Sequence, residues 1–242
     1  MLRVCTFGGL TLEDDGVAIT GVATHRRQLA LLALLAVAGD AGIGREKILA
    51  YLWPESDTEH ARHALNQLLY LQRRTNHDPD LIAGRKTLRL PPDTFESDVQ
   101  VFEAALKSGR PAQAVEVYRG AFLDGFFLDG AEAFEHWVTE CRERFASRYL
   151  RALQDLAGQC TAAGDHDAAL EWRRQAAATD PLNPRLVAAH VEALLACDNK
   201  AGALRALQVH RDRLQSELGL EPEPVLRELE ERIRPRRFPR LA

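Results

Sequence analysis

Short alternations of apolar and polar side chains open the chain. Apolar residues recur at positions 2–4 with Phe7, at 10–12 and at 17–19. The Asp-Asp-Gly sequence at residues 14–16 lies between two of these segments, as is typical of a hairpin turn. The pattern predicts a small antiparallel sheet of three short strands at the N-terminus.

The apolar period then becomes helical and predicts three helices. The first begins near Thr24, contains the apolar run 29–38 and ends at a glycine. The second covers residues 46–53 and ends at Pro54, because proline disfavours helical backbone in the residue before it.

The third helix is expected from about Thr58 to Arg74. The preceding Ser-Asp-Thr-Glu sequence matches the capping-box pattern, in which Ser56 and Glu59 would bind the free N–H groups of the first turn. One side of this helix is apolar and predicts a buried face, which comprises Ala61, Leu65, Leu68 and Leu69.

A basic turn follows the third helix. The sequence Gly84-Arg85-Lys86 lies between the apolar stretches 81–83 and 87–90, which predicts a hairpin with a basic tip. A double proline at 91–92 closes the unit. We therefore expect an α+β domain at residues 1–92, and we expect that fragment to fold alone because it can close its own core.

Residues 97–234 have a helical pattern, apart from a loop at 123–130. The segments 164–170 and 198–204 resemble each other and begin 34 positions apart, which is the tetratricopeptide period. His210 stands where this pattern expects a small residue, so the second copy should pack differently. The pattern predicts an all-α, tetratricopeptide-like domain.

Charge and composition exclude several classes of protein. Net charge is −1 over residues 1–96 and −3 over the remainder, so any contact with DNA must come from locally placed Arg and Lys. The four cysteines are scattered, and His60 and His63 have no further ligand at metal spacing, so no metal and no cofactor are expected. Phosphate-loop, dinucleotide-binding and hydrolase motifs are absent from the sequence, so the protein is not expected to be an enzyme.

Hydropathy predicts a cytoplasmic protein without membrane contact. The longest apolar run, at 29–38, is about half the length that spans a bilayer. The N-terminal residues lack the three regions of a signal peptide.

The order of these elements resembles a known family of regulators. Its marks are the leucine-alanine run 31–36, Leu52-Trp53, Ala64-Leu65-Asn66, the stretch 118–124 and the Leu-Gly-Leu-Glu-Pro sequence at 218–222. The first domain is similar to an OmpR-type winged helix, and the whole chain resembles the SARP-type regulators, which carry a bacterial transcriptional activator domain. The resemblance implies an α+β winged-helix domain followed by an all-α tetratricopeptide-like helical domain.

The resemblance also implies a function, namely sequence-specific binding of double-stranded DNA and transcription activation through RNA polymerase. In OmpR-type regulators the loop before the third helix faces the polymerase, so Glu55 and Asp57 are the expected contact with its sigma subunit. Helix capping is the alternative role for this loop. The helical domain would supply partner binding or homodimer formation. The alternative function is a tetratricopeptide-like protein-interaction scaffold whose winged helix does not bind DNA.

The third helix is the candidate recognition helix. A helix fits the major groove, where Asn and Gln can pair with adenine and Arg with guanine. The candidate DNA contacts on this helix are Arg62, His63, Asn66, Gln67, Tyr70 and Arg73. A solvated helix face is the alternative for each of them.

Further cations lie outside the third helix. Arg26 and Arg27 fall in the first turn of the first helix, where the macrodipole disfavours positive charge, so a DNA phosphate is expected beside them. Arg85 and Lys86 at the hairpin tip are expected to contact phosphates or the minor groove. Solvent exposure and a simple polar turn are the alternatives.

Three aromatic residues are candidates for either the core or a contact surface. Trp53 is expected in the core. Phe126 and Phe127 either pack in the core or, if exposed, mark a docking patch.

Overall fold

The computed structural model describes residues 2–14, 17–18, 26–75, 82–91 and 95–234. The strands in these ranges are β1 (Leu2–Cys5), β2 (Thr11–Asp14), β3 (Val17–Ala18), β4 (Ile43–Gly44), β5 (Thr87–Leu88) and β6 (Phe95–Ser97). The helices are α1 (Arg26–Ala38), α2 (Arg45–Leu52), α3 (Thr58–Thr75), α4 (Asp98–Lys107), α5 (Pro111–Val117), α6 (Glu132–Ala162), α7 (His166–Thr179), α8 (Pro184–Ala196), α9 (Lys200–Leu218) and α10 (Pro224–Ile233). The chain divides into two compact units, Met1–Tyr149 and Leu150–Ala242.

The N-terminal sheet has the strand order β3-β2-β1-β6. β2 pairs antiparallel with β1, with Val4 opposite Leu12, and β3 pairs antiparallel with β2. Val4 and Leu12 are both buried, because opposite residues of a pleated pair share one face. These pairings confirm the three predicted strands. The predicted turn at Asp15 and Gly16 lies outside the described residues.

The fourth strand, β6, pairs in parallel with β1 and was not expected from the sequence. It runs directly into α4, since the hydroxyl of Ser97 accepts the backbone N–H of Gln100 at 3.2 Å and so caps the helix. The first compact unit therefore includes elements on both sides of residue 92, which is itself outside the described residues. The domain boundary between residues 1–92 and 97–234 stays a prediction, which fragments of the chain can test.

α1, α2 and α3 confirm the three predicted helices. Gly39, with φ +56°, follows α1 and begins a short 3-10 turn. Pro54 follows shortly after the end of α2. In α3 the predicted apolar face is buried at Ala61, Leu65 and Leu69 and half-buried at Leu68. The start of the first helix near Thr24 lies outside the described residues.

The predicted hairpin is also present. Ala83 and Arg89 exchange backbone hydrogen bonds of 2.9 and 3.0 Å. Gly84 has φ +100°, and a Cβ at this position would lie 1.9 Å from the carbonyl oxygen of Thr87, so the turn requires glycine. β5, on the second arm, pairs antiparallel with β4, which joins the hairpin to the residues just before α2.

Aromatic rings pack together in the core of the first unit. The ring centroid of Phe7 lies 5.3 Å from that of Phe102 and 5.4 Å from that of Phe145, both in edge-on geometry. The structure separates the two neighbouring phenylalanines of the 123–130 loop. Phe126 is buried, whereas Phe127 is 56% exposed.

The second unit repeats its local structure at the 34-residue spacing. Asp165 caps α7 by accepting the N–H of the residue three positions later at 3.0 Å, and Asn199, 34 residues further on, caps α9 in the same way at 2.8 Å. His210, the predicted departure from the repeat, is buried with its Nδ1 2.9 Å from the carbonyl oxygen of Pro181. The core of this unit comprises Val187, Val191, Leu194, Ala203, Leu207, Leu226 and Leu229.

Candidate nucleic-acid interface

The polar side of α3 is exposed over its whole described length. On the opposite side, Ala61, Leu65 and Leu69 are buried at the spacing i, i+4 and i+8. Their burial orients the helix and leaves its polar side exposed to solvent. The exposed predicted contacts are Arg62, His63, Asn66, Gln67 and Tyr70. Tyr70 is 62% exposed. Arg73 lies in the last turns of α3, and its side chain is outside the described residues.

The helix cap of α3 differs from the predicted one. The helix begins at Thr58, so the capping position belongs to Asp57, whose Oδ1 accepts the N–H groups of Glu59 and His60 at 3.1 Å each. The capping box with Ser56 is therefore wrong. The backbone hydrogen bond from His60 and the bond from its ring lower the pKa of the Asp57 carboxyl below its usual value.

Side chains of α2 hold two of the predicted contacts on α3. The guanidinium of Arg62 lies 2.9 Å from the Oε1 of Glu46, and the Oδ1 of Asn66 accepts a hydrogen bond from Arg45. These two bonds orient Arg62 and Asn66 before any ligand is present. They also mean that neither side chain is entirely free.

His63 and Gln67 lie one turn apart on the exposed face. Their Nε2 atoms are 2.8 Å apart, so the two side chains form a hydrogen-bonded pair. This pair adds a preformed donor and acceptor group to the face, next to Asn66.

The hairpin of residues 83–89, which we call the wing, is connected to α3 through Arg45. The backbone N–H of Arg45 donates to the carbonyl oxygen of Lys86 at 3.0 Å, while its guanidinium donates to Asn66. Arg85 and Lys86 are both exposed. Arg45 therefore brings α3 and the wing together.

The sequence interpretation missed Arg45. The available signal was a cation in the first turn of a helix, which is the signal that singled out Arg26. The sequence interpretation began the second helix one residue later, at Glu46, and so did not place Arg45 in its first turn.

Arg26 and Arg27 have acceptors within the protein. The Nη1 of Arg26 donates to the carbonyl oxygen of Phe127 at 2.8 Å. The Nε of Arg27 donates at 3.2 Å to the carbonyl oxygen of Leu52, the last residue of α2, and its guanidinium lies 5.9 Å from the ring centroid of the half-buried Trp53. These acceptors stabilise cations that the α1 dipole alone would disfavour. Neither contact joins these arginines to α3 or the wing.

The turn of residues 54–57 is exposed throughout. Glu55 has no described side-chain contact, whereas Asp57 is held in the cap of α3. Of the two predicted polymerase contacts, Glu55 is therefore the one that the described residues leave without another role.

Other kinds of site find little support in the described residues. They contain no group of three or more His, Cys, Asp or Glu side chains that could hold a metal ion. Burial raises the pKa of the Cys141 thiol to about 11, which keeps it protonated and unreactive at neutral pH. Among the helices of the described ranges, none has the length and apolarity needed to cross a membrane.

The profile of the bacterial transcriptional activator domain matches residues 92–234. The chain belongs to the bacterial transcriptional activator domain family. This match covers α4 to α10 together with β6, and it confirms the resemblance to SARP-type transcription regulators drawn from the sequence.

Similar proteins agree with this membership. The transcriptional regulatory protein MoaR1 of Mycobacterium tuberculosis is 24% identical over 228 residues, which cover 86% of this chain and 71% of the relative. MoaR1 of Mycobacterium bovis matches with the same identity and coverage.

A solved structure is similar over nearly the whole chain. Mycobacterium tuberculosis EmbR, in complex with a low-affinity phosphopeptide, matches with a TM-score of 0.65 and 24% identity. The match covers 96% of this chain and 64% of the EmbR chain. It confirms the fold class, an α+β winged-helix domain followed by an all-α helical domain.

Proposed function

We propose that this protein is a sequence-specific regulator that binds double-stranded DNA through α3 and the wing and activates transcription by contacting RNA polymerase. The observation that carries the proposal is the position of Arg45. One residue donates to Lys86 of the wing through its backbone and to Asn66 of α3 through its side chain. A winged helix that reads DNA needs these two elements at a fixed separation, and membership of a family of transcription regulators supports the same conclusion.

The exposed face of α3 has the chemistry of a base-reading surface. Asn66 and Gln67 can each present a donor and an acceptor to adenine, and Arg62 can present two donors to guanine. Their partners on α2 and in α3 reduce the conformational freedom that binding would otherwise remove. To read adenine, Asn66 would exchange its bond with Arg45 for one with the base, which frees the guanidinium for a nearby phosphate.

Local rather than overall charge supplies attraction to phosphate. The first 96 residues carry a net charge of −1, so the domain has no general attraction to DNA. The exposed cations Arg85, Lys86 and Arg89 lie together on the wing. Three cations within one hairpin give the wing a positive end, where the duplex backbone would pass.

The acidic turn before α3 supports the activator part of the proposal. Glu55 is exposed at the end of α2 and makes no described side-chain contact. A charged, unpaired residue next to a DNA-reading helix is available to a neighbouring protein on the same duplex. The sigma subunit of RNA polymerase is the proposed partner.

DNA binding can be tested by fluorescence anisotropy with the full chain. A specific duplex is first obtained by sequencing genomic fragments that the protein retains, and a scrambled duplex serves as the comparison. The paired substitutions Asn66→Ala and Gln67→Ala should cost roughly 1 to 3 kcal/mol per lost base contact on the specific duplex and leave the salt dependence unchanged. The pair Arg85→Ala and Lys86→Ala should weaken binding to both duplexes and reduce the salt slope by about one unit per lost phosphate contact.

Arg151→Ala is the matched control, because Arg151 is an exposed cation in α6 without a described contact. It should bind both duplexes as the unaltered protein does. If the α3 variant retains full affinity for the specific duplex, α3 is not the reading element. If the unaltered protein binds no duplex at any salt concentration, the alternative function as a protein-interaction scaffold replaces the proposal.

A further inference from the structure

An open groove of about 710 Å³ lies among α7, α8 and α9, within the second compact unit. Its floor is apolar and includes Leu170, Val187 and Leu194. Small residues line the space where larger side chains would fill it, namely Ala177, Ala178, Gly202 and Ala206. The groove has the volume and the apolar lining of sites that bind ligands in other proteins.

The rim of this groove is positively charged. Arg174, Arg205 and Arg213 line it, whereas Glu171 is the one acidic residue among the described residues of the lining. This balance is opposite in sign to that of the whole chain, whose net charge is −4. A local excess of cations beside apolar surface favours an anionic ligand that also carries an apolar group.

The three arginines differ in how far they are already paired. Arg174 forms two hydrogen bonds with the carboxylate of Glu171, at 2.9 and 2.7 Å. The Nε of Arg213 lies 3.5 Å from Glu217. Arg205 has no hydrogen bond or ion pair with any described residue. Arg205 and, to a lesser degree, Arg213 are therefore available to an incoming carboxylate.

His190 adds a polar atom to the groove. It is a lining residue, and its buried Nδ1 has no hydrogen-bond partner among the described residues. A buried polar atom without a partner carries a desolvation cost that a ligand can relieve. Burial and the nearby guanidinium of Arg174 lower the pKa of His190, which keeps the ring neutral at neutral pH.

The groove is open to solvent along α9, where Val209 is 61% exposed. An open groove suits a chain that passes through it better than a small molecule that must be enclosed. Phe, Tyr and Trp are absent from its described lining, so it has no surface on which nucleic-acid bases would stack. The geometry and charge together favour a peptide.

We propose that this groove binds an acidic peptide segment of a partner protein, with one apolar side chain against Leu170, Val187 and Ala206 and with carboxylates paired to Arg205 and Arg213. This site is separate from the DNA-binding surface proposed above and uses none of its residues. The second unit would then be a receptor for acidic segments, and the identity of the partner would be set by the spacing between its apolar residue and its carboxylates.

An array of synthetic peptides tests this proposal with the full-length protein. Each peptide combines one leucine or phenylalanine with flanking aspartates and glutamates, and the best binder is labelled with fluorescein for anisotropy. Two matched peptides accompany it, one with lysine at every acidic position and one with serine at the apolar position. The acidic peptide should bind, and both matched peptides should bind about tenfold more weakly or not at all.

Substitutions at Arg205 and Arg227 test whether the peptide binds in the groove. Arg205→Glu should weaken the acidic peptide about tenfold or more. Arg205 is exposed and unpaired, so this variant should fold, which circular dichroism checks; Arg205→Gln provides a milder change at the same position. Arg227→Glu, on the exposed face of α10 and outside the groove, is the control for overall charge and should bind like the unaltered protein.

Four results would overturn the proposal. The first is an array in which acidic peptides bind no better than their lysine counterparts. The second is equal weakening by the Arg205 and Arg227 variants, which would mean unspecific attraction. The third is displacement of the peptide by octanoate at similar concentration. The fourth is a dimer that forms through the groove and excludes the peptide. Either of these last two results would assign a different occupant to the groove.

Discussion

Asp98, at the start of α4, accepts two hydrogen bonds from Thr6, one from its backbone N–H and one from its hydroxyl, each 2.6 Å long. The N–H of Phe7 donates to the same carboxylate at 2.8 Å. Burial raises the pKa of Asp98 above its usual value, and these hydrogen bonds oppose the shift. The activator-domain profile begins at residue 92, so this carboxylate connects the matched region to the residues that directly follow β1.

Asp98→Asn should therefore destabilise the first unit. Both carboxylate oxygens accept hydrogen bonds from N–H groups, so an amide nitrogen in either orientation would face a donor. We expect a loss of about 2 to 4 kcal/mol in the free energy of unfolding, measured by urea denaturation. Asp129→Asn, at an exposed position without a described contact, is the control and should leave stability unchanged within about 0.5 kcal/mol. Equal stability of the two variants would contradict the role of Asp98.

Fragments of the chain test where the first folding unit ends. A fragment ending at Pro92 would lack β6, Asp98 and Phe102, and would leave the ring of Phe7 partly exposed. Because those contacts are lost, we expect this fragment to be largely unfolded and a fragment ending at Tyr149 to fold, as judged by circular dichroism and amide proton dispersion. A folded, cooperative 1–92 fragment would instead support the boundary that the sequence pattern favours.

Local patterns in the sequence predicted the local elements well. The apolar spacing of α3, the glycine of the wing and the 34-residue repeat each depend on residues close together in the chain. β6 was not predicted, because its three residues are too few to show alternation and its partner β1 lies more than 90 positions away. β4 was not predicted either, because its two residues are too few to show alternation.

The candidate interface was predicted only in part. Helical spacing identified the exposed face of α3, and hairpin chemistry identified Arg85 and Lys86. Spacing along one helix cannot show that Glu46 and Arg45 of α2 contact Arg62 and Asn66, since those contacts depend on how two helices pack. The same limit concealed the carbonyl acceptors of Arg26 and Arg27.

Separate substitutions at Glu55 and Asp57 distinguish contact with the polymerase from capping. Asp57→Ala removes the cap of α3 and should lower the free energy of unfolding, whereas Asp57→Asn keeps an acceptor and should lower it less. Glu55→Ala should leave stability and DNA affinity unchanged and lower the transcript yield in a purified system. Urea denaturation, anisotropy and run-off transcription measure the three quantities. Full transcription by the Glu55 variant would contradict the proposed contact.

His190 should make the stability of the second unit depend on pH. Its pKa is lowered in the folded protein, first by burial and then by Arg174, while Glu171 has a smaller opposing effect. The unfolded chain has a histidine pKa of about 6.5, so below that pH the unfolded state takes up a proton that folded His190 resists. The contribution to stability is therefore complete above about pH 6.5 and is lost as the pH falls towards the folded pKa.

The measurement compares urea midpoints at about pH 7.5 and pH 5.5 for the unaltered protein and for His190→Gln. Fluorescence of Trp172, in α7, follows the second unit when the tryptophans at positions 53 and 137 are replaced by phenylalanine. The midpoint should fall on acidification in the unaltered protein and fall less in the variant. Glu171 does not titrate between these two pH values, because hydrogen bonds from Arg174 and Gln175 lower its pKa to about 2 and keep it ionised at both. Equal falls in the two proteins would mean that another group titrates, and a larger fall in the variant would mean that the pKa of His190 is raised rather than lowered.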